Sequence, residues 1–142
     1  MNSKAEQFQQ YLQEKKIEAF AVDELKDDEM GTVVFRSHMD IEGQQLPTLV
    51  ILDNSIFVQI RVVLLKKARS KEKELEVFQV LNEENMKYKP FKLYFSQEGD
   101  CILDVSLVTE QEKLSGDMVY TMFKVLIDYL NENYRKIMKA IW

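Results

Sequence analysis

Hydrophobic positions recur along this chain with two periods, and the switches between them outline its elements. Phe8, Tyr11 and Leu12 fall at helical spacing behind Ser3-Lys4-Ala5-Glu6, which fits a capping box with Ser3 as N-cap. A helix from about Lys4 to Lys16 is predicted, with Gln and Lys on its wet face. Asp23, Glu24, Asp27, Asp28 and Glu29 form an acidic run that reads as a solvated loop closed by Gly31. The period then drops to two. Val33, Phe35, Met39 and Ile41 alternate with Arg36, His38 and Asp40, and Glu42-Gly43-Gln44 marks a turn. Leu49, Val50, Ile51 and Leu52 are apolar on both parities, the pattern of a strand covered on both faces. Pro47 sits near the start of that strand, where a missing N–H is tolerated. After Asp53-Asn54-Ser55, the residues Ile56, Val58, Ile60, Val62 and Leu64 line one face of a third strand, with Gln59 and Arg61 on the other.

The second half repeats the alternation of periods. Ser70 is a plausible N-cap, and Leu75, Val77, Phe78, Val80 and Leu81 form the predicted buried side of a second helix, which Pro90 prevents from continuing. Phe91, Leu93 and Phe95 alternate with Lys92, Tyr94 and Ser96. Glu98-Gly99-Asp100 is a hairpin signal, and Cys101, Leu103, Val105 and Leu107 then face one side with Asp104 and Ser106 opposite. A long closing helix has two start signals, Thr109-Glu110-Gln111-Glu112 and Ser115-Gly116-Asp117. Its apolar stripe runs through Val119, Met122, Phe123, Leu126, Leu130, Ile137 and Ile141, widened by Met118, Ile127, Tyr134 and Met138. The predicted order is α-β-β-β-α-β-β-α with antiparallel strand pairing, an α+β domain spanning residues 1–142.

Charge and composition narrow the function classes. The net charge is −5, so a phosphate backbone is repelled and nucleic acid is a poor default partner. One cysteine, Cys101, cannot form an internal disulfide, the N-terminal segment is polar, and no apolar run reaches the roughly 20 residues of a membrane helix. A cytoplasmic, membrane-free setting is expected. No catalytic or metal constellation is predicted, and no cofactor. His38 stands on the polar parity of a strand and reads as a wet sheet-surface histidine. Cys101 stands on an apolar parity and reads as a buried thiol. The acidic run lacks the alternate spacing and glycine of a calcium loop. The four glycines are each alone at a turn, so no phosphate cradle exists. The basic run Lys66, Lys67, Arg69, Lys71 and Lys73 is the best nucleic-acid or ligand candidate, but it lacks interleaved aromatics.

The stretches Leu81-Asn82-Glu83-Glu84-Asn85, Lys92-Leu93-Tyr94-Phe95 and Glu98-Gly99-Asp100-Cys101-Ile102-Leu103 together resemble the YbjN family, whose members show a leucine-Asn-x-x-Asn helix end, a short strand, an acidic-Gly turn and a second strand. The resemblance implies a type III secretion chaperone-like fold and a bacterial regulator or chaperone with no catalytic residues. Read locally, the amides of Asn82 and Asn85 hold backbone groups near the helix end. The function expected is a non-enzymatic protein-binding module; the alternative is a small regulatory domain that binds a ligand or nucleic acid through Lys66–Lys73. A homodimer is expected from surplus apolar stripe on the second and third helices. The expected partner-binding surface is the first helix and first strand, with Phe8, Tyr11, Leu12, Val33, Phe35 and Met39, where an open strand edge accepts a peptide. The same residues also suit simple closure of the core.

Overall fold

The structure is a computed structural model that describes residues 1–110 and 112–142. Its elements are α1 (Ser3–Glu14), β1 (Ala21–Glu24), β2 (Val33–Ile41), β3 (Gln44–Leu52), β4 (Phe57–Leu65), α2 (Glu74–Lys87), β5 (Phe91–Phe95), β6 (Cys101–Val108) and α3 (Gly116–Ile141). The strands form one antiparallel six-stranded sheet in the order β1-β2-β3-β4-β6-β5. The α+β class and the alternation of meander, helix, hairpin and helix match the periodicity of the sequence, with one strand added.

That added strand is β1, which corrects the reading of Asp23–Glu29 as loop throughout. All four of its residues are exposed, so no apolar alternation announced it. It exists because β2 has a free edge to pair with, at Ala21 to Arg36 through Glu24 to Val33. A second correction concerns the first cap. The side chain of Asn2, not Ser3, accepts from the Ala5 N–H at 2.8 Å. The Asn2 amide also donates to Gly31 O and Leu52 O, both at 2.8 Å, so the cap ties α1 to the meander. The buried Lys4 ammonium reaches Ser55 O at 2.7 Å and Phe57 O at 2.6 Å. Its loss of water lowers its pKa, partly offset by the Asp53 charge.

The helices cover one face of the sheet. Phe35 and Val50, Ile60 and Leu103 point into a core that α1 closes with Ala5, Phe8 and Leu12 and α3 closes with Phe123, Leu126, Leu130 and Ile137. Phe8 meets Phe35 edge-on at 4.9 Å between ring centroids. Helix α3 begins at the second of its two start signals: Ser115 is the N-cap and accepts from the Met118 N–H at 3.2 Å. The competing capping box includes Gln111, which lies outside the described residues. Gly116 is needed for proximity: a Cβ there would sit 2.2 Å from Cγ of Tyr11.

Helix α2 is rotated from the expected orientation. It buries Val77, Leu81 and Glu84, whereas Phe78 is 42% exposed and Leu75 71%. Phe78 lies against Phe95 at 5.7 Å and under the Arg69 guanidinium at 5.5 Å, so it covers the sheet margin instead of filling the core. The rotation follows from Glu84. Tyr129 donates to one of its oxygens at 2.8 Å and Lys136 to the other at 2.9 Å, which locks α2 onto α3 through a charge that periodicity cannot register. The helix N-cap is Lys73; Ser70 accepts from the Lys73 N–H at 3.4 Å in the preceding turn.

Candidate functional site

The strand registers define a second face that no helix covers. Residues alternating with the core run across it as Val34, Arg36 and His38 on β2, Pro47, Leu49 and Ile51 on β3, Gln59, Arg61 and Val63 on β4, and Ile102, Asp104 and Ser106 on β6. Tyr94 and Lys92 complete it on β5. Four apolar side chains, Val34, Leu49, Ile51 and Val63, remain half-exposed there. The cover expected on both faces of β3 is found on one only: Val50 and Leu52 face the core at 0% exposure, and Leu49 and Ile51 face outward, half-exposed.

Beside this apolar strip lies a charge that is almost fully buried although its strand parity faces outward. The Asp104 side chain is 1% exposed. One oxygen accepts from Arg61 Nε at 2.9 Å. The other accepts from Arg61 Nη2 at 3.1 Å, Tyr94 Oη at 2.7 Å and Gln59 Nε2 at 3.2 Å. Three neighbouring strands therefore meet on one carboxylate. Burial, then the hydrogen bond to Asp104, pushes the Tyr94 phenol up to about 12. The bond to Asp104 raises Arg61 against the opposing cost of burial. With four donors on two oxygens, Asp104 has little capacity left to accept a substrate proton, and the cluster acts as a clasp across β4, β6 and β5.

The expected partner-binding residues lie elsewhere. Phe8, Leu12, Val33, Phe35 and Met39 are all at most 5% exposed and belong to the helix-covered core. Tyr11 is half-buried, donating to Asp117 at 3.1 Å and packed near Tyr120. This set is brought together, but to close the core, and β1 occupies the β2 edge that was to accept a peptide. The expectation fails because alternation identifies the apolar side of a strand without saying what covers it. Asn85 does hold backbone as its local reading implies. Its amide donates to Leu93 O at 3.1 Å and accepts from Leu93 N at 2.8 Å, satisfying both groups on the outer edge of β5. Asn82 reaches only Met86 Sδ, at 3.6 Å.

The remaining candidates are quickly placed. His38 is exposed on the outer face. Cys101 is fully buried, and burial pushes its thiol up to about 12, so it is protonated at neutral pH. In the basic segment, Arg69 pairs with Glu74 and Lys73 lies 3.7 Å from Glu76, while the Lys67, Ala68 and Arg69 N–H groups bond to Asp100 and Gly99. Among the described residues, no three His, Cys, Asp or Glu side chains converge as a metal site, and no helix is long and apolar enough to cross a membrane. No family model matches the chain, and no curated protein sequence matches it.

Proposed function

We propose that this chain is a non-enzymatic, cytoplasmic protein-binding module, of the regulator or chaperone kind that its YbjN resemblance implies, and that it docks a protein partner on the outer face of its sheet. One observation carries the reading: β3 is apolar on both parities, and the chain covers only one of them, leaving Leu49 and Ile51 half-exposed at the middle of the sheet. The clasp at Asp104 supports it, because a face whose buried charge is already satisfied loses water at little further cost. The basic segment is the weaker alternative, since two of its cations are paired within the chain.

The test is a double substitution, Leu49→Asp with Ile51→Lys, in the tagged chain. Both side chains point away from the core, so the melting temperature should stay close to that of the unaltered protein while partner capture is lost. Charge reversal at Lys66, Lys67 and Arg69 should leave capture intact. Capture that survives the face substitutions and disappears on charge reversal would transfer the function to the basic segment.

A further inference from the structure

We infer that the partner on this face is a second copy of the chain, docked sheet to sheet as a twofold sandwich. The inference rests on the reading that the outer face is an interface, and names its occupant. Three properties point to self-docking.

The first is shape. The strip of Val34, Leu49, Ile51 and Val63 lies across adjacent strands of a sheet, so it matches another sheet better than a helix or an extended peptide. Sheets pack face to face at about 10 Å through such side chains.

The second is charge. A twofold axis places the same patch on both sides, so a self-docking face must not carry net charge. Within the strands, the charged side chains on this face are three cations, Arg36, Arg61 and Lys92, and three anions, Asp23, Asp40 and Asp104, with Asp53 at the rim just beyond β3. The chain as a whole carries −5, so the excess lies on other surfaces. Two of these ion pairs close within the chain: Arg36 Nε lies 2.5 Å from Asp23, and Arg61 Nε 2.9 Å from Asp104. A strongly basic partner would be drawn to the acidic surfaces instead.

The third is position and extent. Strands β3 and β4 stand at the middle of the order β1-β2-β3-β4-β6-β5, so an axis through the centre of the face lays the apolar strip on its own copy. Six strands about 4.8 Å apart, each up to about 30 Å long, span on the order of 600 Å² per copy. Two such faces reach about 1,200 Å², the lower end of stable interfaces. The rival surface on α2 presents Leu75, Phe78 and Met86 as a narrow line. An antiparallel copy would bring Lys73 at one end against Lys87 at the other, placing like charges together.

Analytical ultracentrifugation of the untagged chain across the micromolar range decides the matter. A reversible monomer–dimer equilibrium is expected. Two copies at −5 repel, so added salt should strengthen the dimer, whereas an interface made by ion pairs would weaken. Ile51→Lys should weaken self-association at least about tenfold, with far-UV circular dichroism unchanged. Ile51→Val should preserve it, and Met86→Glu on α2 should have no effect. A dimer that resists Ile51→Lys but is lost with Met86→Glu overturns the inference. A monomer at all concentrations overturns it too. If that monomer still captures a partner in a manner lost with Leu49→Asp/Ile51→Lys, the protein-binding reading stands and only the second copy is excluded. If capture is insensitive to that double change, both fall.

Discussion

The two faces of this sheet share one set of strands but differ in what stands on them. On the helix-covered face, Phe35, Val50, Ile60 and Leu103 are completely buried, and the Phe8 ring of α1 meets Phe35 edge-on. On the open face, Leu49, Ile51, Val34 and Val63 stay half-exposed around an ion pair. Each side of the molecule also buries one carboxylate. Glu84 sits between α2 and α3, held by Tyr129, Lys136 and the nearby Lys87. Asp104 sits on the open face, held by Arg61, Tyr94 and Gln59. Each is matched by a nearby cation, which is what makes burial of a carboxylate tolerable. The difference lies in what completes the surroundings: the chain covers one face and leaves the other open.

The contrast is broken most directly at its strongest point. Phe35→Ala should cost about 3–5 kcal/mol in denaturant unfolding, because a buried aromatic leaves a cavity that the two layers cannot fill. Ile51→Thr, on the adjacent strand but the opposite face, should cost under about 1 kcal/mol in the monomer. Similar losses at the two positions would mean that the open face is part of the folded core.

Removing the clasp tests the open face alone. Asp104→Ala leaves Tyr94, Gln59 and a partly buried Arg61 without their acceptor, and should cost about 2–3 kcal/mol. The phenol of Tyr94, held at about 12 by burial and then by Asp104, should titrate nearer its ordinary value of 10.0 in an ultraviolet pH series. The sign is that of a raised acid: the protonated phenol is favoured in the fold, so this contribution is complete below pH 10 and is lost as pH rises to about 12. A phenol titration unaltered by the substitution would detach Tyr94 from the carboxylate.

The smallest effect belongs to the carboxylate under the helices. Burial pushes Glu84 up, but the Lys136 and Tyr129 hydrogen bonds and the two lysine charges outweigh it, so its pKa is lowered overall. A lowered carboxylate contributes stability that is present above its ordinary value of 4.5 and is lost as pH falls through the folded value. Glu84→Gln should therefore lower the melting temperature modestly at neutral pH, and the gap should close on acidification. A gap that stays constant down the acid limb would show that Glu84 acts by packing alone.

Much of this architecture was legible in the order of residues. Periods of two and 3.6 located eight of the nine elements, and the parity within each long strand assigned its core side correctly, as Phe35, Ile60 and Leu103 attest. The two-sided pattern of Leu49 to Leu52 marked β3 as apolar on both faces, and the fold covers one of them. The site was not placed by the same reasoning. Phe8 and Phe35 were read as both core and docking surface, and a one-dimensional pattern has no term for what stands opposite a side chain. Phe78 was assigned to the core by its helical spacing with Leu75 and Leu81, whereas the helix is fixed on α3 through Glu84, which accepts from Tyr129, 45 residues downstream, and pairs with Lys136, 52 residues downstream.

By itself, then, the sequence determined what depends on neighbours along the chain: the α+β class, the turns and the side of each strand that is apolar, while the choice of Ser115 between the two start signals of α3 came from the fold. Tertiary structure decided what depends on partners far apart in sequence. Strand β1 formed because β2 offered an unpaired edge, and Asn85 sealed the edge of β5 by binding Leu93 across eight residues. Asp104, polar by parity and placed for water, was buried because Arg61, 43 residues away, and Tyr94 converged on it. The physical reason is the same in each case. Local preference is set by the backbone and its immediate neighbours, whereas desolvation and pairing of a polar group depend on which distant side chains the fold brings within hydrogen-bond reach.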